Sequence, residues 1–220
     1  MSKYKRVIKT YGGRKATFPL KDKRDMDSIA YYFLRARDKA RSEAKRWQAD
    51  RNWMMCLLGF NTAFRAEDLL QLRVFDVLQG YVTIKENKTG KVQNFRMRKE
   101  LAEDIGSYIE RNNLGVYDYL FCGQKNSEMA ITRQQADNVL KKVARDIKLK
   151  GRLSMHTMRK TFGYHYYKDD GKLLTLTKMY NHDSPETTLL YICWDTDDAE
   201  NDRMKVYNAG VHRKKQYKKE

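Results

Sequence analysis

Two stretches near the end of the chain decide how its fold and chemistry are interpreted: SMHTMRK at 154–160 and NHDSPETTLLYICW at 181–194. In the first stretch, His156 lies three residues before Arg159, so both side chains fall on one face of a helix. A guanidinium holds phosphate oxygens well because its planar fork of donors matches their geometry. The pair is therefore a candidate for binding one cluster of ligand oxygens, although such pairs also occur on ordinary surfaces and in cores.

The second stretch predicts a turn followed by a helix. Ser184–Glu186 reads Ser-Pro-Glu, which is typical of a helix start because Ser caps, Pro suits the first position and an acid suits the N-terminal dipole. Tyr191 is then about two turns into the helix, and His182 lies in the turn before it, from where both can face one ligand. Because aromatic residues at helical spacing are commonly core residues, Tyr191 also has a simple packing interpretation.

The charge of the chain favours a polyanionic partner. The 220 residues contain 45 Lys and Arg against 28 Asp and Glu, a formal net charge of +17. Most of this charge lies at the ends, because residues 1–24 hold nine basic side chains and one acid, and residues 212–220 hold five basic side chains and one acid. Nucleic acid and an anionic membrane surface both fit this balance, and basic ends are also common as solvated tails.

The pattern of apolar residues predicts a mainly α domain with a small antiparallel β-sheet, an α+β fold. Helical spacing prevails from residue 25 onward, including the buried run RNWMMCLLGF at 51–60. The stretches YVTIKEN and KVQNFRM flank Lys88-Thr89-Gly90 and predict a β-hairpin, and YDYLFCG is a possible third strand. We expect a basic flexible arm at 1–24, one globular domain at 25–211 and a basic tail at 212–220.

Cysteine content and hydropathy predict an intracellular protein. Cys56, Cys122 and Cys193 are odd in number and lack metal-ligand spacing, which favours reduced thiols and predicts no zinc site. No apolar run is long enough to span a bilayer, and the first twenty residues lack the apolar core of a signal peptide. The cytoplasm is the expected compartment, with no membrane partner.

Beyond these local patterns, the order of the motifs resembles the tyrosine recombinases of the phage-integrase superfamily. The family's first arginine box is matched by TAFRAEDLLQL, with Ala63-Phe64 in place of Gly-Leu, and its hairpin lysine box by NKTGK. Its His-x-x-Arg box is matched by HTMRKTFGY. Its last box, Leu-Gly-His followed by Tyr, is matched by MYNHDSPETTLLY, with Tyr180-Asn181 in place of Leu-Gly. The resemblance runs from about residue 25 to 211 and is strongest for short, catalytic-domain-only integrases of phages or mobile elements.

The resemblance implies a set of site residues and a reaction. The implied catalytic residues are Arg65, Lys88, His156, Arg159, His182 and Tyr191, with Asp68 as a supporting residue. Tyr191 would attack a phosphodiester of double-stranded DNA to form a 3′-phosphotyrosyl link, His156 would accept its proton, and Lys88 would protonate the leaving 5′-oxygen. Arg65, Arg159 and His182 would supply positive charge in place of a metal ion, so the resemblance implies no metal and no cofactor.

The resemblance also implies an assembly and leaves two alternatives open. Recombinases of this family act as tetramers on DNA, and we expect the C-terminal segment 195–211 to dock in trans on a neighbouring subunit. One alternative is a type IB topoisomerase-like enzyme that relaxes DNA, although such enzymes commonly have Lys where His156 stands. The other is a DNA-binding regulator that keeps the scaffold without recombining. A cytoplasmic, nucleoid-associated protein of bacterial or phage origin fits all three.

Overall fold

Helices form most of the structure, and short antiparallel hairpins form the rest. The computed structural model describes residues 17–78, 80–87, 90–123, 126–194 and 196–205. The expected mainly α fold with small antiparallel sheets is confirmed.

The first helices form where the sequence provides caps. Helix α1 (Lys23–Asp38) begins after Asp22, whose side chain accepts a hydrogen bond from the backbone N–H of Arg24. Helix α2 (Glu43–Asn61) contains the apolar run at 51–60, which confirms the predicted buried helix, and the short α3 (Ala66–Leu70) follows it. Before α1, in the part of the expected arm that the structure describes, Leu20 is buried and its backbone N–H donates to Thr161.

The predicted hairpin is present. Strands β1 (Tyr81–Lys85) and β2 (Val92–Arg96) pair antiparallel, with Thr83 opposite Asn94. Gly90, in the connection, has a φ of +67°, a left-handed conformation that glycine adopts without strain. The alternation of buried side chains along β1 continues one residue past the strand and buries Glu86.

A second hairpin separates two amphipathic helices. Helix α4 (Lys99–Arg111) and helix α5 (Arg133–Asp146) both match the sequence prediction. The possible third strand is only the two-residue β3 (Cys122–Gly123), and it pairs with β4 (Asn126–Ala130) rather than with the first hairpin. The sequence did not predict β4 because NSEMA lacks the β-branched and aromatic residues that favour strands.

The chain beyond α5 is helical, as expected. Helix α6 (Met155–Asp170) begins at Ser154 with a capping box, and α7 (Leu173–Tyr180) follows after Gly171. Helix α8 (Pro185–Ile192) begins after Ser184, whose side chain accepts from the backbone N–H of Thr187, so the predicted helix start is confirmed. Helix α9 (Thr196–Lys205) is the last element.

The described residues form two apolar clusters. The larger one forms where α2 packs against α1, α4 and α6. The smaller one surrounds the buried Tyr180, at the end of α7, and includes Tyr164 and Ile192. Gly163 on α6 makes this packing possible, because a Cβ there would lie 2.1 Å from Tyr180 Oη. Helices α6, α7 and α8 therefore approach one another closely around one tyrosine.

No helix in the described part of the chain is long and apolar enough to cross a bilayer. Cys56, Cys122 and Cys193 are all free thiols.

Candidate active site

One cleft of about 770 Å³ collects most of the predicted site residues. Its walls come from the residue preceding α3, from α6, from the turn between α7 and α8, and from α8. The predicted residues that line it are Arg65, His156, Arg159, His182 and Tyr191. Residues separated by more than a hundred positions in the sequence thus share one solvent-accessible space.

The predicted lysine, Lys88, lies outside the described residues, so its role stays a prediction. The neighbouring parts of its hairpin do reach the cleft, because Asn87 and Lys91 line it. The connection is closed by two backbone hydrogen bonds, from Glu86 N to Lys91 O at 2.9 Å and from Gly90 N to Glu86 O at 2.8 Å.

Both predicted arginines are held by a single carbonyl group. The backbone oxygen of Tyr180 accepts from Arg159 Nη2 at 3.2 Å and from Arg65 Nη2 at 3.4 Å. Arg159 is only 4% exposed, and its Nη1 is buried with no hydrogen-bond partner among the described residues. A buried guanidinium nitrogen without a partner is costly in an apolar setting, so its presence beside an open cleft indicates a place for an anionic ligand.

A carboxylate that the sequence analysis missed balances one of these charges. Glu86, buried at 3% exposure, forms an ion pair with Arg65 Nη1 and accepts from Gln93 Nε2 at 2.6 Å. A signal for it was present in the sequence. In YVTIKE the glutamate shares the buried face of the strand with Val82 and Ile84, and a buried carboxylate requires a cation or donors.

Asp68, the predicted supporting residue, contacts the hairpin. It is buried, and its Oδ1 accepts a hydrogen bond from the backbone N–H of Asn87 at 3.0 Å. Burial raises the pKa of this carboxyl, while that hydrogen bond and the charges of Arg65 and Arg159 oppose the rise. Asp68 thus holds the turn end of the hairpin at the cleft, whereas the ion pair with Arg65 is made by Glu86.

Tyr191 lies in an aromatic and cationic environment. Its ring centroid is 5.3 Å from that of Tyr180, 5.2 Å from that of His182 and 5.8 Å from Arg159 Cζ. Burial raises the pKa of the phenol, and the charges of Arg159 and Arg65 pull in the opposite direction. The free protein therefore holds Tyr191 protonated at neutral pH, and an attack by its oxygen requires a base.

His156 faces a further cation. Its Nε2 lies 3.0 Å from Arg133 Nη2, so this nitrogen accepts from the guanidinium of a residue that also lines the cleft. Partial burial, followed by the charges of Arg133 and Arg159, lowers the pKa of the imidazole. The neutral form is the one that accepts a proton. Sequence reasoning missed Arg133 because it lies on α5, far from any of the motifs.

His182 differs from the expectation that it contributes a positive charge. Burial, together with the charges of Arg159 and Arg65, lowers the pKa of the ring to about 4, so the free protein holds it neutral at pH 7. Its Nδ1 lies 3.0 Å from Thr188 Oγ1, and the Thr188 hydroxyl also lies within reach of Thr177 Oγ1 at 3.0 Å. These contacts fix the ring in the cleft as a neutral hydrogen-bonding group.

Across the described residues, no group of three or more His, Cys, Asp or Glu side chains could hold a metal ion. The charged groups that line the cleft are mainly protein cations, which suit a phosphate ligand.

A tyrosine and two arginines that line one open cleft form an arrangement that suits a phosphate ligand. Residues 38–197 match the phage integrase family. A relative named "Probable integrase/recombinase YoeC", from Bacillus subtilis (strain 168), is 32% identical over 148 residues, which cover 67% of this chain and 80% of that protein. The chain therefore belongs to the phage integrase family, the tyrosine-type site-specific recombinases.

Solved structures share the fold. The crystal structure of XerA recombinase has a TM-score of 0.67 at 16% identity, covering 89% of this chain and 68% of that one. XerH site-specific recombinase, in a post-cleavage complex with a palindromic difH substrate, has a TM-score of 0.62 at 22% identity, covering 79% of this chain and 50% of that one. The chain thus spans about half the length of XerH, and the likeness confirms the predicted recombinase catalytic-domain fold.

Proposed function

We propose that this chain cleaves and rejoins double-stranded DNA at specific sites, with Tyr191 as the nucleophile. The observation that carries the proposal is the pairing of Arg65 and Arg159 on the Tyr180 carbonyl, beside the Tyr191 ring in one open cleft. Two guanidiniums directed at one place suit a phosphate whose non-bridging oxygens gain charge during attack.

The first step forms a bond between Tyr191 Oη and phosphorus and breaks the bond from phosphorus to the 5′-oxygen. The phenolic proton passes to His156, whose lowered pKa keeps it neutral and able to accept the proton. Arg133 occupies Nε2 of this ring in the free protein, so it must turn away first. The DNA backbone offers Arg133 an anionic partner to turn toward.

The leaving 5′-oxygen takes a proton, for which the hairpin lysine Lys88 is the proposed donor. Rejoining is the reverse reaction: a 5′-hydroxyl attacks the phosphotyrosyl bond and releases Tyr191. Because the covalent link conserves the phosphodiester, the cycle needs no energy-supplying cofactor. Protein side chains supply the charge stabilisation in this scheme.

We further propose that four chains assemble on two duplexes, because a complete exchange cuts four strands. The segment 195–211 is the proposed docking element in trans. DNA as the partner is supported by the net charge of +17 and by the similarity to XerH, which was solved bound to its difH substrate. A bacterial or phage protein with this substrate works in the cytoplasm.

The experiment that tests the nucleophile works without a defined target site. The protein is incubated with a pool of nicked duplexes that carry a randomised core, and covalent complexes are isolated by denaturing electrophoresis. We expect an adduct with the wild type and none with Tyr191→Phe, because the phenyl ring keeps the packing but has no nucleophilic oxygen. The DNA recovered from the adduct is then sequenced to identify the site.

Tyr117→Phe is the matched control, because Tyr117 is 78% exposed and does not line the cleft. It should form the adduct at the wild-type rate. Tight DNA binding without any adduct would overturn the proposal in favour of a DNA-binding regulator. Relaxation of supercoiled plasmid without joining of separate duplexes would favour a topoisomerase-like activity instead.

A further inference from the structure

One residue that lines the cleft, Asn181, has a buried amide nitrogen that the reaction scheme does not use. Asn181 lines the cleft beside His182, and its Nδ2 atom is buried with no hydrogen-bond partner among the described residues. The Nη1 atom of Arg159, another residue that lines the cleft, is also buried and has no hydrogen-bond partner among the described residues. Buried donors in folded proteins are almost always paired, so two unpaired donors on residues that line one cleft indicate a ligand that accepts from both.

The backbone from which this amide extends is fixed in one conformation. Asn181 ends α7 in the left-handed conformation, with φ 51° and ψ 44°. Its N–H donates to Lys178 O at 3.0 Å, and the next N–H, of His182, donates to Thr177 O at 3.1 Å. Both bonds fix the turn, so the Asn181 side chain leaves a rigid backbone directly after the Tyr180 carbonyl that binds the arginines.

The backbone conformation alone gives a simpler reason for an asparagine at position 181, because Asn and Gly are the residues that best tolerate left-handed backbone angles. The recombinase motif that the chain resembles has Gly at this position. An αL cap that needed only conformational freedom would be served by Gly, which has no side chain to bury. The conformational explanation does not account for the buried, unpaired Nδ2 of this residue, which lines the cleft.

We propose that Asn181 is an additional phosphate-binding residue, whose Nδ2 donates a hydrogen bond to a non-bridging oxygen of the phosphate held by Arg65 and Arg159. This inference rests on the proposed function for the identity of the ligand as a DNA phosphodiester. The amide adds a neutral donor to a site built from cations, so it positions the phosphate without adding to the positive charge around Tyr191.

Two substitutions separate this role from the capping role. Asn181→Gly removes the amide and keeps the left-handed turn, and Asn181→Asp keeps the size and the turn but replaces the donor with an anionic acceptor. Binding of inorganic phosphate is measured by ³¹P NMR titration. The binding that disappears in the Arg159→Ala variant is assigned to the cleft. Single-turnover cleavage at saturating DNA is measured with a sequence recovered from covalent adducts.

We expect Asn181→Gly to weaken phosphate binding and slow cleavage by about tenfold, the usual effect of losing one hydrogen bond to a charged group. Asn181→Asp should lose more, because the carboxylate repels the phosphate. Asn113, which also has a positive φ, of 49°, but lies outside the cleft, provides the matched control. Asn113→Gly and Asn113→Asp should leave both measurements unchanged.

The inference would be overturned if both Asn181 variants bound phosphate and cleaved DNA as well as the wild type does. It would also be overturned if phosphate binding by the wild-type protein did not depend on Arg159. A different result separates the two proposals. If phosphate binding depends on Asn181 but the wild type never forms a DNA adduct, the assignment of Asn181 holds and the proposed cleavage function fails.

Discussion

At the scale of single residues, the position of Arg65 depends on Glu86, a buried carboxylate that does not line the cleft. Arg65 has 22% of its side chain exposed, and its guanidinium forms an ion pair with the carboxylate of Glu86, whose side chain is 3% exposed. Gln93 joins this arrangement to α7, because its Nε2 donates both to Glu86 and, at 3.0 Å, to Met179 O. The hairpin and the carbonyl of Tyr180 therefore hold Arg65 from two sides.

Neutralising Glu86 should reduce both stability and catalysis. In Glu86→Gln the side chain keeps its shape and can still accept from Gln93, but Arg65 loses its ionic partner. We expect the free energy of unfolding to fall by about 2 kcal/mol, less than for a fully buried pair because Arg65 has access to water. Cleavage at saturating DNA should fall about tenfold, as for a displaced charge-stabilising donor. Urea denaturation and single-turnover cleavage measure the two effects.

Asp68→Asn is the matched comparison for this prediction. An asparagine there still has an oxygen that can accept from the N–H of Asn87, so the hairpin contact is preserved. We expect a smaller effect on cleavage than from Glu86→Gln. A larger effect from Asp68→Asn would make Asp68 the main supporting residue, as the sequence motif predicts.

The sequence identified the residues whose chemistry is visible in a motif and missed those whose role depends on packing. Arg65 and Tyr191 could be placed in a site because their motifs carry an ordered spacing. Arg133 and the carbonyl of Tyr180 could not, since each contributes through a contact between distant elements. The charge state of His182 was likewise inaccessible, because burial in the folded protein sets its pKa.

At the scale of secondary-structure elements, a buried carboxylate joins three helices. Asp50 on α2 is 3% exposed and accepts from Arg111 Nε at 3.1 Å and Nη2 at 3.0 Å. Asn112 Nδ2 donates to it at 2.8 Å from the end of α4, and Arg37 Nη1 lies 3.4 Å away on α1. The ends of α1 and α4 are thus fixed to the middle of α2 by one side chain.

Removing this carboxylate should destabilise the domain while leaving the cleft intact. We expect Asp50→Ala to lower the free energy of unfolding by about 3 kcal/mol, because it leaves several donors unpaired. This expected loss of stability is at the lower end of the range for buried ion pairs, because the Arg111 side chain is 46% exposed and can be hydrated. Asp104→Ala, on an exposed face of α4, should change stability by less than about 0.5 kcal/mol. Urea denaturation measures both variants, and equal losses in the two would contradict the prediction.

Elements with strong local signals were predictable, and those formed by pairing alone were not. The start of α8 follows from Ser-Pro-Glu, and the first hairpin follows from two β-rich segments around a glycine. Neither a helix-start motif nor a β-rich segment predicts β4, the partner of β3. It is a polar segment that becomes a strand only through its contact with β3. Tertiary context outweighs local propensity in such a short strand.

At the scale of the whole molecule, the two ends of the described chain meet. Asp198, in the first turn of α9, is 8% exposed and lies 2.5 Å from Lys21 Nζ, before the start of α1. Tyr164 on α6 donates its hydroxyl to the other Asp198 oxygen at 2.6 Å. In this single chain the beginning of α9 is therefore attached to its own domain, although it lies inside the segment proposed to dock in trans.

A set of truncations tests whether segment 195–211 links neighbouring subunits. A chain ending at Trp194 should bind one duplex but fail to form the four-subunit complex on two, because it lacks the proposed docking element. A chain ending at Val211 loses only the basic tail and should still assemble, with weaker binding at high salt because fewer cations contact phosphates. Sedimentation velocity with a duplex recovered from covalent adducts measures the stoichiometry of each chain.

The contact of Asp198 requires a separate control, because truncation at Trp194 also removes the carboxylate that Tyr164 and Lys21 contact. Asp198→Asn keeps the full chain and removes the negative charge that Lys21 contacts. If the loss of assembly in the short chain came from a destabilised domain, Asp198→Asn would share part of that loss. We expect it to lower the thermal midpoint yet keep the tetramer, because the rest of the docking segment is still present. Tetramers formed by the chain ending at Trp194 would rule out docking by this segment.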